Sequence, residues 1–196
     1  EEVPVALVFN GTTQAVMMAT PADLEDFATG FALTEHIVDT PDAIERLEVV
    51  SHDAGIEARL WLAAPDAERL AARRRAMAGP VGCGLCGIDS LAEALHPVAR
   101  VTEAGPAFAA PHVAAALAAL RQEQALHDTT RAVHAAGFYA PGRGLVAARE
   151  DVGRHNALDK LAGALLRAGE DGSAGAVILT SRVSVEMVQK TARLGA

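Results

Sequence analysis

The order of strand and helix patterns constrains the fold of this chain more than any other feature of its sequence. The first half predicts two strand pairs, and the first pair is joined through Asn10-Gly11, a dipeptide typical of tight hairpin turns. In the second half, two strands are followed by a helix, a strand and a final helix, which is typical of a three-layer α/β domain. We therefore predict an α/β fold with an N-terminal α+β domain at residues 1–106 and a second α/β domain at residues 107–196.

Local patterns place the individual elements within these two domains. Thr20 and Pro21 fit the N-cap and the first position of a helix, and apolar side chains recur at helical spacing through residues 24–31. In the second domain, the alanine-rich residues 111–126 predict one long helix. The other predicted strands and helices lie at residues 3–9, 14–18, 44–50, 56–62, 66–77, 132–139, 145–149, 154–168, 176–180 and 184–194.

Charge and composition argue against several classes of function. The chain has 17 Lys and Arg residues against 25 Asp and Glu residues, a net charge of −8, which is unfavourable for general binding to nucleic acid. No apolar run is long enough to cross a membrane, and residues 1–4 lack the features of a signal peptide. We expect a cytoplasmic chain with reduced thiols, because two closely spaced cysteines do not make a disulfide scaffold.

Cys83 and Cys86 are the only thiols of the chain, and they lie in a glycine-rich loop predicted at residues 79–88. Glycine neighbours remove side-chain cover and permit backbone shapes that other residues disfavour. We therefore expect both thiols to be reachable by a large partner. Two thiols at this spacing can coordinate a metal, cycle as a disulfide or carry sulfur.

The metal interpretation lacks ligands. A structural zinc site needs four ligands, of which the cysteine pair supplies two and His96 can supply a third. A zinc deaminase needs His-x-Glu before its cysteines, whereas His134 follows them here and Ala136 takes the glutamate position. We predict no metal site, and the redox pair and the sulfur carrier both stay open.

Polar residues cluster at the start of the helix predicted for residues 154–168. Gly153 permits close approach to the backbone, and Arg154, His155 and Asn156 place hydrogen-bond donors at a helix N-terminus. Anions bind at such termini, because free backbone N–H groups and cationic side chains point towards them. The pattern therefore predicts an anion site.

The same segment also fits an ordinary capped helix with solvated charges. In that interpretation Asp151 is the N-cap, and the charged side chains of Asp159 and Lys160 lie in water. Helical spacing alone does not choose between a binding site and a capped helix.

A second candidate for phosphate binding follows the apolar strand predicted for residues 176–180. Ser181 and Arg182 come directly after this strand, and ligands of open α/β sheets bind at the carboxyl ends of strands. The alternative is ordinary turn and cap chemistry around Ser184.

Four stretches taken together identify a family that the chain resembles. They are residues 20–31, the Cys-Gly-Leu-Cys-Gly motif at 83–87, residues 150–160 and residues 181–190. In this order they resemble the formate dehydrogenase accessory sulfurtransferases, the FdhD/NarQ family of sulfur carriers.

The resemblance implies a sulfur relay. A cysteine desulfurase would form a persulfide, and Cys83 would accept its sulfur, with Cys86 assisting or resolving. The sulfur would then pass to molybdenum in bis-molybdopterin guanine dinucleotide, as formate dehydrogenase activity requires. The residues expected to line the site for this cofactor, or for a guanine nucleotide, are Arg154, His155, Asn156, Ser181 and Arg182.

The resemblance also carries expectations about fold and assembly. It implies a second domain similar to cytidine deaminases but without the deaminase zinc, and a homodimer by family analogy. Since the family normally continues beyond the position of Ala196, we expect the second domain to be incomplete. Two rival functions stay open, a Cys-x-x-Cys dithiol oxidoreductase and a cofactor-binding chaperone with incidental cysteines.

Overall fold

The structure is a computed structural model that describes residues 1–76, 98, 100, 101 and 105–196. It is a mixed α/β protein, and its described part contains two sheets and six α-helices. This confirms the predicted fold class. The boundary between two domains near residue 106 and the likeness to cytidine deaminases stay predictions.

The first sheet has four strands in the order β2-β1-β4-β3. Asn10 and Gly11 both have positive φ, 47° and 77°, as the predicted hairpin turn requires. Strand β1 pairs antiparallel with β2 and parallel with β4, which in turn pairs antiparallel with β3. The strands are β1 (Val3–Phe9), β2 (Thr12–Ala19), β3 (Ile44–His52) and β4 (Gly55–Leu62).

Two helices belong to this half of the chain, α1 (Leu24–Thr34) and α2 (Ala64–Ala76). The predicted apolar stripe of α1, which includes Phe27 and Phe31, packs into the core against β1 and β4. The prediction that Thr20 caps this helix was wrong, because α1 begins after Asp23. Thr20 Oγ1 instead accepts a hydrogen bond from the Val152 N–H, a partner far away in the sequence.

The second sheet has three antiparallel strands in the order β6-β5-β7. Phe138 faces Leu158 and Leu161 on one side of this sheet. On the other side, Gly137 lies so close to Leu120 that a Cβ would stand 2.8 Å from Leu120 Cδ1. Helices therefore cover both faces, as the predicted three-layer arrangement requires. The elements are α3 (Ala110–Gln122), α4 (Ala125–Thr130), β5 (His134–Ala140), β6 (Gly144–Asp151), α5 (Arg154–Arg167), β7 (Ala176–Leu179) and α6 (Val185–Arg193).

The long helix predicted for residues 111–126 was wrong, because the structure divides it into α3 and α4. The Glu150 carboxylate accepts hydrogen bonds from the N–H groups of Leu126 and His127, at 2.7 and 2.8 Å. It thereby satisfies N–H groups that a new helix start leaves free. In the described ranges, no helix has both the length and the apolar character needed to cross a bilayer.

Helices α1 and α5 meet at backbone distance and join the two sheets. A Cβ on Gly30 would overlap the carbonyl oxygen of Asp159, and a Cβ on Gly163 would overlap that of Asp26. Each glycine therefore faces the backbone of the other helix. The Asp26 carboxylate adds a charged contact, because it accepts hydrogen bonds from Arg149 and Arg167.

Replacing Gly30 by alanine should force α1 and α5 apart. We expect Gly30→Ala to lower the free energy of unfolding by about 3 kcal/mol, since overpacking a tight contact costs about this much. Chemical denaturation measures the loss. The control is Glu25→Ala, at an exposed position of α1, which should cost less than about 1 kcal/mol. Equal losses in the two variants would contradict close packing at Gly30.

Candidate functional site

The residues predicted to bind a cofactor lie at one end of the second sheet. Strands β6 and β7 both run antiparallel to β5, so their carboxyl ends point the same way. Helix α5 starts after β6, and α6 starts after β7. The structure therefore brings Arg154 and His155 to the same end of the sheet as Ser181 and Arg182. The sheet is antiparallel rather than parallel. These residues nevertheless lie at the carboxyl ends of β6 and β7, as the sequence predicted for a ligand site.

Arg154 and His155 form the first turn of α5 and are partly exposed. Arg154 Nε is buried and has no hydrogen-bond partner among the residues that the structure describes. Burial lowers the pKa of His155, and the positive charges of Lys190 and Arg154 lower it further, against the opposing effect of Glu186 and Glu35. His155 is therefore an uncharged imidazole at neutral pH.

Asn156 has a different environment from its two neighbours. It is buried, and its Nδ2 donates hydrogen bonds to the Met18 carbonyl at 2.9 Å and to Asp151 Oδ1 at 3.0 Å. Both amide hydrogens thus connect α5 to β2 and β6. This placement makes Asn156 a structural link, and its predicted cofactor contact stays a prediction.

Ser181 and Arg182 lie in the segment between β7 and α6. Ser181 Oγ donates a hydrogen bond to the Arg182 carbonyl at 3.1 Å. Arg182 is exposed, and no described residue forms an ion pair with its guanidinium. It is therefore available to an anionic ligand at this end of the sheet.

Cys83, Cys86 and the predicted loop at 79–88 lie outside the described residues, as does His96. Their roles stay predictions. Across the part of the chain that is described, no three His, Cys, Asp or Glu side chains come together to hold a metal ion.

The charged residues of α5 overturn the interpretation of this helix as a capped helix with solvated charges. Asp159 and Lys160 are 1% and 0% exposed, so neither lies in water as that interpretation required. The N-cap is Gly153, and Asp151 Oδ1 accepts the Gly153 N–H from outside the helix. Each buried charge has an opposite partner, because an unpaired charge in the interior is prohibitively costly.

Lys160 and Asp151 form the first of these buried pairs. Lys160 Nζ lies 2.6 Å from Asp151 Oδ2 and donates to the Thr20 carbonyl at 2.9 Å. The Thr20 N–H donates to the same carboxylate oxygen. The pair therefore ties the residue after β2 to the start of α5, across the two halves of the chain.

Asp159 and Lys190 form the second buried pair, and Lys190 Nζ lies 2.8 Å from both carboxylate oxygens. Thr34 Oγ1 donates to Asp159 at 2.6 Å, and Glu35 adds a second carboxylate 2.9 Å from Lys190. Burial alone would lower the pKa of Lys190, but Asp159 and Glu35 hold it above its ordinary value. Burial raises the pKa of Asp159, against the effect of Lys190.

Sequence reasoning missed the four side chains that surround His155 and Asp159 from other helices. A signal was present in the segment at 181–190, where Glu186 and Lys190 stand four residues apart and share one face of α6. The contribution of Thr34 and Glu35 left no local signal, because it depends on how α1 packs.

Comparison with known proteins decides the family. A model of the FdhD/NarQ family matches residues 1–196. The chain belongs to the FdhD/NarQ family. Two relatives named sulfur carrier protein FdhD come from Agrobacterium fabrum (strain C58) and Brucella abortus, at 54% and 57% identity over 195 residues. Each match covers 100% of this chain and 72% of the relative.

A solved structure agrees with this membership in the FdhD/NarQ family. It is a crystal structure described as a formate dehydrogenase accessory protein from Desulfotalea psychrophila. The similarity has a TM-score of 0.70 and 25% sequence identity, and it covers 100% of this chain and 70% of that chain. The family resemblance found in the sequence is confirmed.

Removing the charge of Lys160 should leave Asp151 buried without its partner. We expect Lys160→Met to lower the free energy of unfolding by about 3–5 kcal/mol, as is typical when one member of a buried pair is removed. Arg143→Met is the matched control, because Arg143 pairs with Glu170 at the surface, and it should cost less than about 1 kcal/mol. Similar losses in both denaturation curves would argue against a structural role for the buried pair.

Proposed function

We propose that this chain is a persulfide sulfurtransferase that accepts sulfur from a cysteine desulfurase on Cys83. The sulfur is delivered to molybdenum in bis-molybdopterin guanine dinucleotide, which formate dehydrogenase requires for activity. One observation carries the proposal: the only two cysteines of the chain lie in one glycine-rich motif. Membership in a family whose relatives are named sulfur carriers supports it.

The acceptance step follows thiol–disulfide exchange. The Cys83 thiolate attacks the outer sulfur of the desulfurase persulfide, a new S–S bond forms at Cys83, and the desulfurase cysteine leaves as a thiolate. No external oxidant or reductant is needed, because one S–S bond replaces another. The neighbours of Cys83 are glycines, which have no side chains that could cover its thiol, and this favours the step. Cys86 assists or resolves by attacking the inner sulfur of the Cys83 persulfide, which forms a Cys83–Cys86 disulfide and releases the outer sulfur as hydrosulfide. An external thiol then reduces the disulfide for the next round.

The cofactor is a substrate of this reaction and binds, in our proposal, at the end of the second sheet. Arg154 and Arg182 supply positive charge there, and the N-termini of α5 and α6 supply free N–H groups, which together suit phosphate groups. His155 and Ser181 add polar contacts at the same end. Asn156 supports the site from inside the protein.

The sulfur donor is a cysteine desulfurase, the enzyme served is a formate dehydrogenase, and both meet the carrier in the cytoplasm. We propose a homodimer by analogy with the family. The net charge of −8 argues against general binding to nucleic acid.

Replacing Cys83 should abolish sulfur loading. After incubation with cysteine desulfurase and cysteine, mass spectrometry of the unsubstituted chain should show one or more added sulfur atoms on Cys83 that reductant removes. Cys83→Ala should lose this mass and the ability to mature formate dehydrogenase. Full loading and maturation by Cys83→Ala would refute the assignment, and a reversible loss of two hydrogens without sulfur uptake would favour a dithiol oxidoreductase. Cys86→Ala, measured in parallel, shows whether Cys86 assists Cys83 or carries the sulfur itself.

Replacing Arg182 should weaken binding of a guanine nucleotide. We expect Arg182→Ala to reduce the affinity for GDP by about tenfold to a hundredfold in a calorimetric titration, as for the loss of a hydrogen bond to a charged group. Arg143→Ala is the matched control, because this exposed arginine lies in the turn between β5 and β6, at the opposite end of the sheet. Unchanged affinity in Arg182→Ala would move the binding site elsewhere.

A further inference from the structure

Two residues of α5 face two residues of α6. His155 and Asp159 lie one turn apart on α5, and Glu186 and Lys190 lie one turn apart on α6. Lys190 and Asp159 are in direct contact, at 2.8 Å. Because both helices start at the same end of the sheet, the next turn towards that end places Glu186 beside His155.

His155 lies among four charged groups that come from three helices. Arg154 precedes it on α5, Glu186 and Lys190 approach from α6, and Glu35 approaches from the C-terminal end of α1. The two carboxylates favour a protonated imidazole, whereas burial and the two cations oppose it. The charge on His155 therefore depends on the balance between these neighbours.

Glu186 is an unexpected group at a site proposed for phosphates. The neighbouring Ser184 side chain lowers the pKa of Glu186. The backbone N–H of Glu186 lowers it further, as do His155 and Arg154. Glu186 is therefore ionised at neutral pH and would repel a phosphate that it touched directly. Its position beside two positive or protonatable side chains points to a role exerted through them.

We propose that Glu186 is a positioning residue of the binding site, which acts on His155 through its charge across the gap between α5 and α6 and favours the charged imidazole that binds a phosphorylated ligand. The inference rests on the proposed function, which supplies the phosphate ligand. Lys190, fixed on Asp159 one turn below, has the opposite effect on the charge of His155. Binding of the ligand therefore strengthens as the pH falls through the titration of His155.

The link between Glu186 and His155 is tested by NMR titration of the His155 ring protons. In the unsubstituted chain, the midpoint should lie below the ordinary histidine value of 6.5. In Glu186→Gln it should move to still lower pH, and in Glu186→Asp it should return towards the original value. Glu170→Gln is the control, because Glu170 pairs with Arg143 rather than with His155, and it should leave the midpoint unchanged. An unchanged midpoint in Glu186→Gln would overturn the inference.

The consequence for binding is tested by titrating GDP at several pH values between about 5 and 8. The affinity of the unsubstituted chain should rise about tenfold as His155 gains its proton, since a charged donor binds phosphate more strongly than a neutral one. In Glu186→Gln this rise should move to lower pH. His155→Gln should show only the dependence that comes from ionisation of GDP itself.

The results separate this inference from the function on which it rests. GDP binding with the same pH profile in Glu186→Gln and in the unsubstituted chain would overturn the inference alone. No binding of GDP at any pH would overturn both the proposed nucleotide site and the inference. A parallel shift of the NMR midpoint and of the binding profile would support the role of Glu186.

Discussion

The backbone contact between α1 and α5 is the interaction on which the rest of the structure depends. Gly30 and Gly163 allow the two helices to approach so closely that each glycine lies against a carbonyl of the other helix. One helix packs on the four-stranded sheet, and the other packs on the three-stranded sheet. Two buried ion pairs also join the halves of the chain: Asp159–Lys190 links α5 and α6 to Thr34 at the end of α1, and Asp151–Lys160 links α5 to Thr20. The proposed cofactor site lies at the end of α5 next to these pairs.

The buried ion pairs of this protein fix the relative positions of its helices more than they add to its stability. A buried ion pair gains little over well-packed apolar groups, but a misaligned one is costly, so such pairs penalise alternative arrangements of the helices. Lys190 illustrates this, since it contacts Asp159, Thr34 and Glu35 together. The same network lies directly beneath His155. The groups that hold the two halves together therefore also set the electrostatic environment in which a phosphorylated ligand would bind.

The sequence predicted the parts of the fold that depend on local pattern. All four strands of the first sheet, the hairpin at Asn10-Gly11 and the apolar face of α1 were predicted with small errors at their ends. The errors share one cause, which is a partner distant in sequence. Thr20 contacts Val152, and Glu150 caps α4. Likewise, the polar clusters pointed to residues that the structure brings to one end of the second sheet, but the burial of Asp159 could not be predicted, because it depends on α1 and α6.

We propose that the chain carries sulfur from a desulfurase to the molybdenum cofactor. The most direct test of this transfer follows the sulfur itself, with a chain loaded with radioactive sulfur, separated from the desulfurase and mixed with cofactor and inactive formate dehydrogenase. We expect the label to leave the chain and to appear in the cofactor, in proportion to the activity gained. Activation of the enzyme while all label stays on the chain would contradict the proposed transfer.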